Sequence, residues 1–120
     1  MIGINIRNAD IAYADAIVDG IKTLESRETN SLKPYIGKRV AIVRTGKGKA
    51  KAIGEATIGN PIVVNRLEFR NKYKEHLVGE GSVFYIKSGQ VKYLYPMLDA
   101  IRYEKEKDVG LGIVSRKVID

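Results

Sequence analysis

The chain has 120 residues, a formal net charge of +7 and no cysteine. This length is typical of one domain, so we expect a single domain over residues 1–120. The absence of cysteine excludes disulfides, thiolate metal ligands and a cysteine nucleophile, and it is compatible with a reducing cytoplasm.

Targeting and metal-binding signals are also missing from the sequence. The N-terminal residues 1–5 lack the basic, apolar and small-residue order of a signal peptide, and no apolar run approaches the ~20 residues of a membrane span. We therefore expect a cytoplasmic protein without a membrane partner. His76 is the only histidine, and a structural zinc site needs several His or Cys ligands. We expect His76 at a helix end and no metal or cofactor.

The N-terminal part predicts a strand followed by a helix. Residues 2–7 alternate between apolar and polar side chains, which is typical of a strand. Asn8 or Asp10 can cap a helix over residues 11–18, where apolar residues share one face. Gly20 can end this helix, because glycine adopts a positive φ without steric cost.

A dense polar cluster follows at residues 22–27. Read as a strand, this segment directs alternate side chains to opposite faces. One face would carry Thr23, Glu25 and Arg27. The other would carry Lys22, Leu24 and Ser26. Such a mixed-charge cluster can bind a polar, partly anionic ligand, and it can equally be a solvated strand edge with weak surface ion pairs.

The remaining sequence predicts a hairpin, a second helix and several short strands. The hairpin has strands at 39–44 and 50–58 around a glycine-rich turn. A polar helix is predicted at 67–78. Residues 62–64 form a short apolar segment. Further strands are predicted at 82–86, 91–95, 98–103 and 112–119, with a charged loop at 104–108. With about six or seven of these segments as strands and two short helices, the sequence predicts an α+β domain built as a small, partly closed β-barrel.

Positive charge is concentrated around the predicted hairpin. No Asp or Glu interrupts the basic residues Lys33, Lys38, Arg39, Arg44, Lys47, Lys49 and Lys51. Such a local field favours a polyanion, and nucleic acid is the usual one. The residues expected to contact a nucleic-acid backbone are Arg39, Arg44, Lys47, Lys49 and Lys51. A basic surface that serves only solubility is the alternative.

Several segments together resemble the ASCH domain, the activating-signal-cointegrator homology family. Gly20–Arg27 fits the pattern Gly-x-Lys-Thr-x-Glu-x-Arg, and Gly37–Ile42 and Ile53–Ile58 resemble the strands that follow it. Gly81–Phe84 and Gly112–Lys117 are similar to small bacterial members. The resemblance covers most of the chain, roughly residues 4–118.

This resemblance implies a PUA-like barrel with a cleft at the first helix and residues 22–27, and it implies RNA or a modified nucleoside as the ligand. The residues that match the pattern are Lys22, Thr23, Glu25 and Arg27. The two cations could neutralise phosphate, and Glu25 could accept from a base amino group. Three tyrosines are candidates for stacking on a base or for packing: Tyr13, Tyr35 and Tyr85. Of these we include Tyr85 among the ligand-binding residues.

Catalysis is the alternative function that the resemblance implies. Some small bacterial ASCH proteins look like amidohydrolases of N4-acylated cytidines, with a Lys, a nucleophilic Thr and a Glu. Lys22 matches the Lys, whereas the position of the nucleophilic Thr, three residues later, is Glu25 here. A hydrolytic route would use Lys22 as a base of lowered pKa and Glu25 to activate water.

Two other functions remain open from the sequence. Other ASCH proteins have been proposed as nucleases, and two close carboxylates would support metal-assisted cleavage of RNA. Glu25 and Glu55 are the candidates for such a pair. Alternatively, the protein is an interaction module whose basic face meets an acidic partner.

Overall fold

The computed structural model describes residues 1–119. The strands in this part of the chain are β1 (Ile2–Arg7), β2 (Leu24–Arg27), β3 (Arg39–Thr45), β4 (Lys51–Ile58), β5 (Ile62–Val64), β6 (Lys92–Val109) and β7 (Ser115–Ile119). The α-helices are α1 (Tyr13–Val18), α2 (Arg66–Asn71) and α3 (Tyr73–His76), with a 3₁₀ turn at Lys33–Tyr35. None of the helices described is long and apolar enough to cross a membrane.

The strands form one ring-like sheet. The order β2-β6-β4-β3-β1-β7 closes because β7 also pairs with the far end of β6. β1 and β3 are parallel, and the other pairs are antiparallel. The predicted α+β class, the β3–β4 hairpin and the number of strands are confirmed. The expected two helices are corrected to three short α-helices.

Strand β6 differs most from the sequence-based expectation, which placed two short strands and a charged loop over residues 91–108. The structure has one strand of 18 residues. Pro96 does not interrupt it, because proline lacks only the N–H, and the Pro96 carbonyl still accepts a hydrogen bond from the Gly59 N–H at 2.8 Å. Asp99 takes a positive φ of 50°, and the β4–β6 register shifts along this strand. The expected charged loop is therefore wrong.

The predicted helix over residues 67–78 is divided into α2 and α3. A capping box starts α2: Asn65 Oδ1 accepts from the Glu68 N–H, and Glu68 Oε1 accepts from the Asn65 N–H. Such reciprocal bonds satisfy two backbone donors at the helix start. Leu77 ends α3 with a left-handed φ of 64°.

The strand expected at residues 82–86 is wrong, because this segment is a chain of turns. The Ser82 N–H donates to the Gly79 carbonyl, and the Tyr85 N–H donates to the Ser82 carbonyl. Short local bonds of this kind replace the ladder that a strand would need. The final strand is also shorter than expected and begins at Ser115.

Helix α1 packs its apolar face against the inside of the ring. Asn8, rather than Asp10, holds the helix start, since Asn8 Oδ1 accepts from the Ala14 N–H at 2.8 Å. Gly20 follows the helix with the expected positive φ of 76°. Gly54 of β4 lets the helix approach closely, because a Cβ there would lie 2.5 Å from Val18 Cγ1. This packing fixes the start of the segment that carries the polar cluster.

Candidate functional site

A cleft of about 310 Å³ opens between β1, β2, α1 and the segment that precedes β6. We call it the main cleft. Its apolar and aromatic lining consists of Ile6, Tyr13, Val78 and Phe84. Its polar lining consists of Asn5, Arg7, Lys22, Glu25, Ser26, Arg27, Glu28 and Lys92. The cleft therefore combines an apolar wall with a strongly charged floor.

Lys22 forms the deepest part of this floor and is only 1% exposed. Its Nζ donates to the His76 carbonyl, lies 3.7 Å from Glu25 Oε1 and lies 5.3 Å from the centre of the Tyr13 ring. Burial lowers the pKa of Lys22, although the neighbouring Glu25 acts in the opposite direction. The Lys22 amine is thus desolvated and held by one carboxylate and one carbonyl.

Glu25 is shared by two cations. Arg27 Nε donates to Glu25 Oε2 at 3.0 Å, and Arg27 Nη2 donates to the Asn5 carbonyl at 2.7 Å. Glu25 is itself buried. Because each of the two carboxylate oxygens of Glu25 contacts a basic side chain, the carboxylate has a fixed orientation toward the cleft.

The expected alternation of faces over residues 22–27 is wrong. Lys22 lies on the same side as Glu25 and Arg27, because β2 begins only at Leu24 and the residues before it do not follow the strand period. Thr23 is exposed and does not line the main cleft. Its backbone N–H instead donates to the Glu75 carbonyl, and its carbonyl accepts from the Met97 N–H. The structure therefore brings together three of the four residues of the pattern.

The rim of the cleft carries cations that the sequence did not single out. Lys92 is only 3% exposed, and its Nζ lies 3.9 Å from Glu28 Oε1. Burial lowers the pKa of Lys92 despite this carboxylate. Arg7 is exposed at the end of β1, and no described acidic side chain lies within 4.0 Å of it. Both residues come from strands far from residues 22–27 in sequence, so no local pattern could reveal them.

A hydroxyl and carboxylate cluster fixes the aromatic wall. The Tyr13 hydroxyl donates to Asp10 at 3.0 Å and lies 3.3 Å from Ser82 Oγ. Burial, together with Asp10, raises the pKa of Tyr13 to about 12, although the contact with Ser82 acts in the opposite direction, so this hydroxyl stays protonated. Ser82 Oγ accepts from the Phe84 N–H, and the Phe84 ring meets Tyr13 edge-on at 5.9 Å. Phe84 is thereby positioned at the cleft.

Three solved structures have the same architecture as this chain. The ASCH protein from Zymomonas mobilis matches with a TM-score of 0.67 and 23% identity, over 84% of this chain and 68% of that chain. Its serine-to-alanine variant gives 0.69 and 23% over 86% and 70%, and its tyrosine-to-phenylalanine variant gives 0.71 and 22% over 89% and 74%. The chain has the ASCH fold. The expected PUA-like architecture is therefore confirmed. No protein-family model matches the sequence, and no curated protein is similar to it in sequence.

In this ASCH fold the basic hairpin is largely neutralised. Arg44 makes a bidentate pair with Glu106 at 2.8 and 2.9 Å. Three more cations contact carboxylates within 4.0 Å, in the pairs Arg39–Glu55, Lys49–Asp108 and Lys51–Asp108. Lys47 has no described carboxylate within this distance. The charge run of the sequence therefore overstates the number of cations available to a ligand.

The tip of the hairpin nevertheless lies beside the main cleft. Thr45 pairs with Arg7 across the parallel β1–β3 ladder, and the Asn8 N–H donates to the Thr45 carbonyl at 2.9 Å. Lys47 follows two residues later. The tip and Arg7 thus form one continuous basic edge.

Other predicted site residues lie elsewhere. Tyr85 does not line the main cleft and packs edge-on against Phe69. Tyr35 donates to Ser115 Oγ at 3.1 Å. Glu55 is bound by Arg39 and by the Tyr103 hydroxyl, so the structure does not place it with Glu25 in the cleft. Within residues 1–119, no three His, Asp or Glu side chains gather as metal ligands.

Proposed function

We propose that this protein binds RNA or a modified nucleoside in the main cleft. The observation that carries the proposal is the buried cluster of Lys22, Glu25 and Arg27 at the floor of a cleft with an aromatic wall. The volume of about 310 Å³ lies at the lower end of small-molecule sites, which suits a single base or nucleoside. The ASCH fold, which the resemblance associates with such ligands, supports the same class.

The floor can read the edge of a base. Glu25 can accept from an exocyclic amino group, and Arg27 can donate to a base carbonyl, which are the pairings that carboxylates and guanidinium groups make with bases. Phe84 is partly exposed at the wall and offers a face for stacking. Base stacking on an aromatic ring contributes about 1–3 kcal/mol.

The rim can hold phosphate. Four basic and two acidic side chains line the main cleft, so its field favours an anion. Lys92 and Arg7 would take the phosphate of the bound nucleotide, and Lys47 at the hairpin tip would take the next one along a strand of RNA. The contact of the hairpin with the nucleic-acid backbone is therefore proposed mainly for its tip.

The buried Lys22 supports a second candidate, a hydrolase acting on N4-acylated cytidine or on RNA. Burial lowers the pKa of Lys22, which favours the neutral amine that a general base requires. If the protein hydrolyses N4-acylated cytidine, Lys22 would take a proton from a water molecule while the oxygen of that water attacks the acyl carbonyl carbon. The bond between the acyl carbon and N4 would then break, and the proton held by Lys22 would pass to N4, releasing cytidine and the carboxylic acid.

Mass spectrometry of the purified protein with nucleosides, N4-acetylcytidine and short single-stranded RNA tests binding. We expect the wild type to retain one of these ligands. Phe84→Ala and Lys92→Met should weaken retention roughly tenfold or more, because each removes a contact worth about 1–3 kcal/mol. Thr23→Ala is the matched control, since Thr23 lies outside the cleft. Absence of retention, or equal retention by all variants, would refute the proposal.

Conversion in the same experiment tests the second candidate. Lys22→Met leaves Glu25 paired with Arg27, so the strand keeps its ion pair. A hydrolase would convert substrate in the wild type, and this variant would lose conversion while still retaining ligand. Retention without any conversion would identify the protein as a binding module.

A further inference from the structure

A second groove of about 260 Å³ adjoins the main cleft. Its lining residues are Arg70, Tyr73, Val78, Gly79, Glu80 and Tyr85. Val78 lines both the second groove and the main cleft, so only the width of this segment separates the two. A ligand that extends out of the main cleft past Val78 would enter the second groove.

Two tyrosines give the second groove aromatic surface. Tyr73 is 51% exposed at the start of α3. Tyr85 is partly buried, and Phe69 supports its ring edge-on at a centroid distance of 5.3 Å. Phe69 in turn stacks on the buried ring of His76 at 3.9 Å. One tyrosine is therefore accessible and the other is held in place by the core.

Arg70 adds an available positive charge. It is exposed on α2, and among residues 1–119 no carboxylate lies within 4.0 Å of it. This distinguishes Arg70 from Arg44 of the hairpin, which is bound bidentately by Glu106. Glu80 is the acidic residue among those lining the groove. An unpaired guanidinium beside aromatic rings is the combination that binds single-stranded nucleic acid.

We infer that the second groove is a subsite for the nucleotide adjacent to the one in the main cleft. Tyr73 and Tyr85 stack on its base, and Arg70 binds the phosphate that connects the two nucleotides. The ligand is single-stranded RNA, because only an unpaired base can stack on protein rings in this way. This inference rests on the proposed function of the main cleft.

Affinities for cytidine monophosphate and for a single-stranded hexanucleotide test the inference. The wild type should bind the hexanucleotide at least about tenfold more tightly, since one stacked base contributes about 1–3 kcal/mol. Tyr73→Ala and Arg70→Ala should remove this gain and leave the affinity for the mononucleotide unchanged. Arg66→Ala is the matched control, because it removes the same charge from the same helix outside the groove.

Three results would overturn the inference. Equal affinities of the wild type for the two ligands would show that no second nucleotide is bound. A gain that persists in Tyr73→Ala and Arg70→Ala would place the second nucleotide elsewhere. If neither ligand binds, the proposed function fails together with the inference, whereas binding of the mononucleotide alone leaves the proposed function standing.

Discussion

The main cleft and the basic hairpin place their positive charge differently. In the hairpin, Arg39, Arg44, Lys49 and Lys51 each contact a carboxylate of β4 or β6. In the cleft, four cations surround an open volume, and no described carboxylate lies within 4.0 Å of one of them, Arg7. A run of basic residues in sequence therefore does not locate the charge that a ligand can use, because distant strands supply the counter-ions.

The two regions also differ in how deeply their charges are buried. The Lys22 side chain is 1% exposed, whereas that of Lys49 is 72% exposed. Water screens an exposed ion pair, and such pairs contribute little to stability. A buried charge without its partner is costly. Substitutions in the two regions should therefore have different consequences.

The largest expected effect is on stability and separates Glu25 from Glu106. Glu25→Gln leaves the buried Lys22 without a carboxylate and should lower the free energy of unfolding by about 3 kcal/mol or more. Glu106→Gln removes the partner of the more exposed Arg44 and should cost less than about 1 kcal/mol. Urea denaturation of both variants measures the difference. Equal losses would contradict the contrast between buried and exposed pairs.

The second effect is a difference in acid sensitivity. The Val78 N–H donates to His76 Nδ1, and His76 Nε2 contacts the Phe69 carbonyl, so the folded state holds a neutral imidazole. Burial lowers the pKa of His76 below 6.5. As the pH falls below 6.5, the unfolded chain gains a proton that the folded chain lacks. The free energy of unfolding should then fall by up to about 1.4 kcal/mol per pH unit.

The hairpin should respond to acid only at lower pH. Hydrogen bonding to Arg44 lowers the pKa of Glu106 below 4.5, so its contribution is present above 4.5 and is lost as the pH falls through the folded-state pKa. The free energy of unfolding, measured from neutral to acid pH, should show the loss from His76 below pH 6.5 and the loss from Glu106 below pH 4.5. NMR of the single histidine follows the protonation of His76 directly. Titration of His76 near 6.5 would contradict its buried, neutral state.

The smallest effect concerns the salt dependence of RNA binding. Lys47→Ala should reduce the slope of log affinity against log salt by about 0.7, the value for one phosphate contact on a single strand. Arg44→Ala should leave the slope unchanged, since Glu106 already neutralises Arg44. Glu106→Gln, which releases Arg44, should increase the slope. A larger change in Arg44→Ala than in Lys47→Ala would reverse the comparison between the hairpin tip and its strands.

The parts of the molecule that can be predicted from the sequence are those whose structure is determined by residues close together in the chain. The hairpin, the end of α1 at Gly20 and the cluster of residues 22–27 all depend on neighbours in sequence. The long β6 could not be predicted, because its charged end is stabilised as a strand by pairing with β4 and β7. Phe84 and Lys92 were missed as site residues for a related reason, since only the fold brings them to the cleft.

Strand β6 sets the order in which the protein can assemble during its synthesis. Residues 93–96 of β6 pair with β2, which carries the floor of the cleft, and residues 97–107 pair with β4. A nascent chain that has exposed only the hairpin and α1 therefore has no strand on which β2 can form its ladder. The cleft and the sheet are completed together once β6 has formed, so we expect no partial binding site to exist before then.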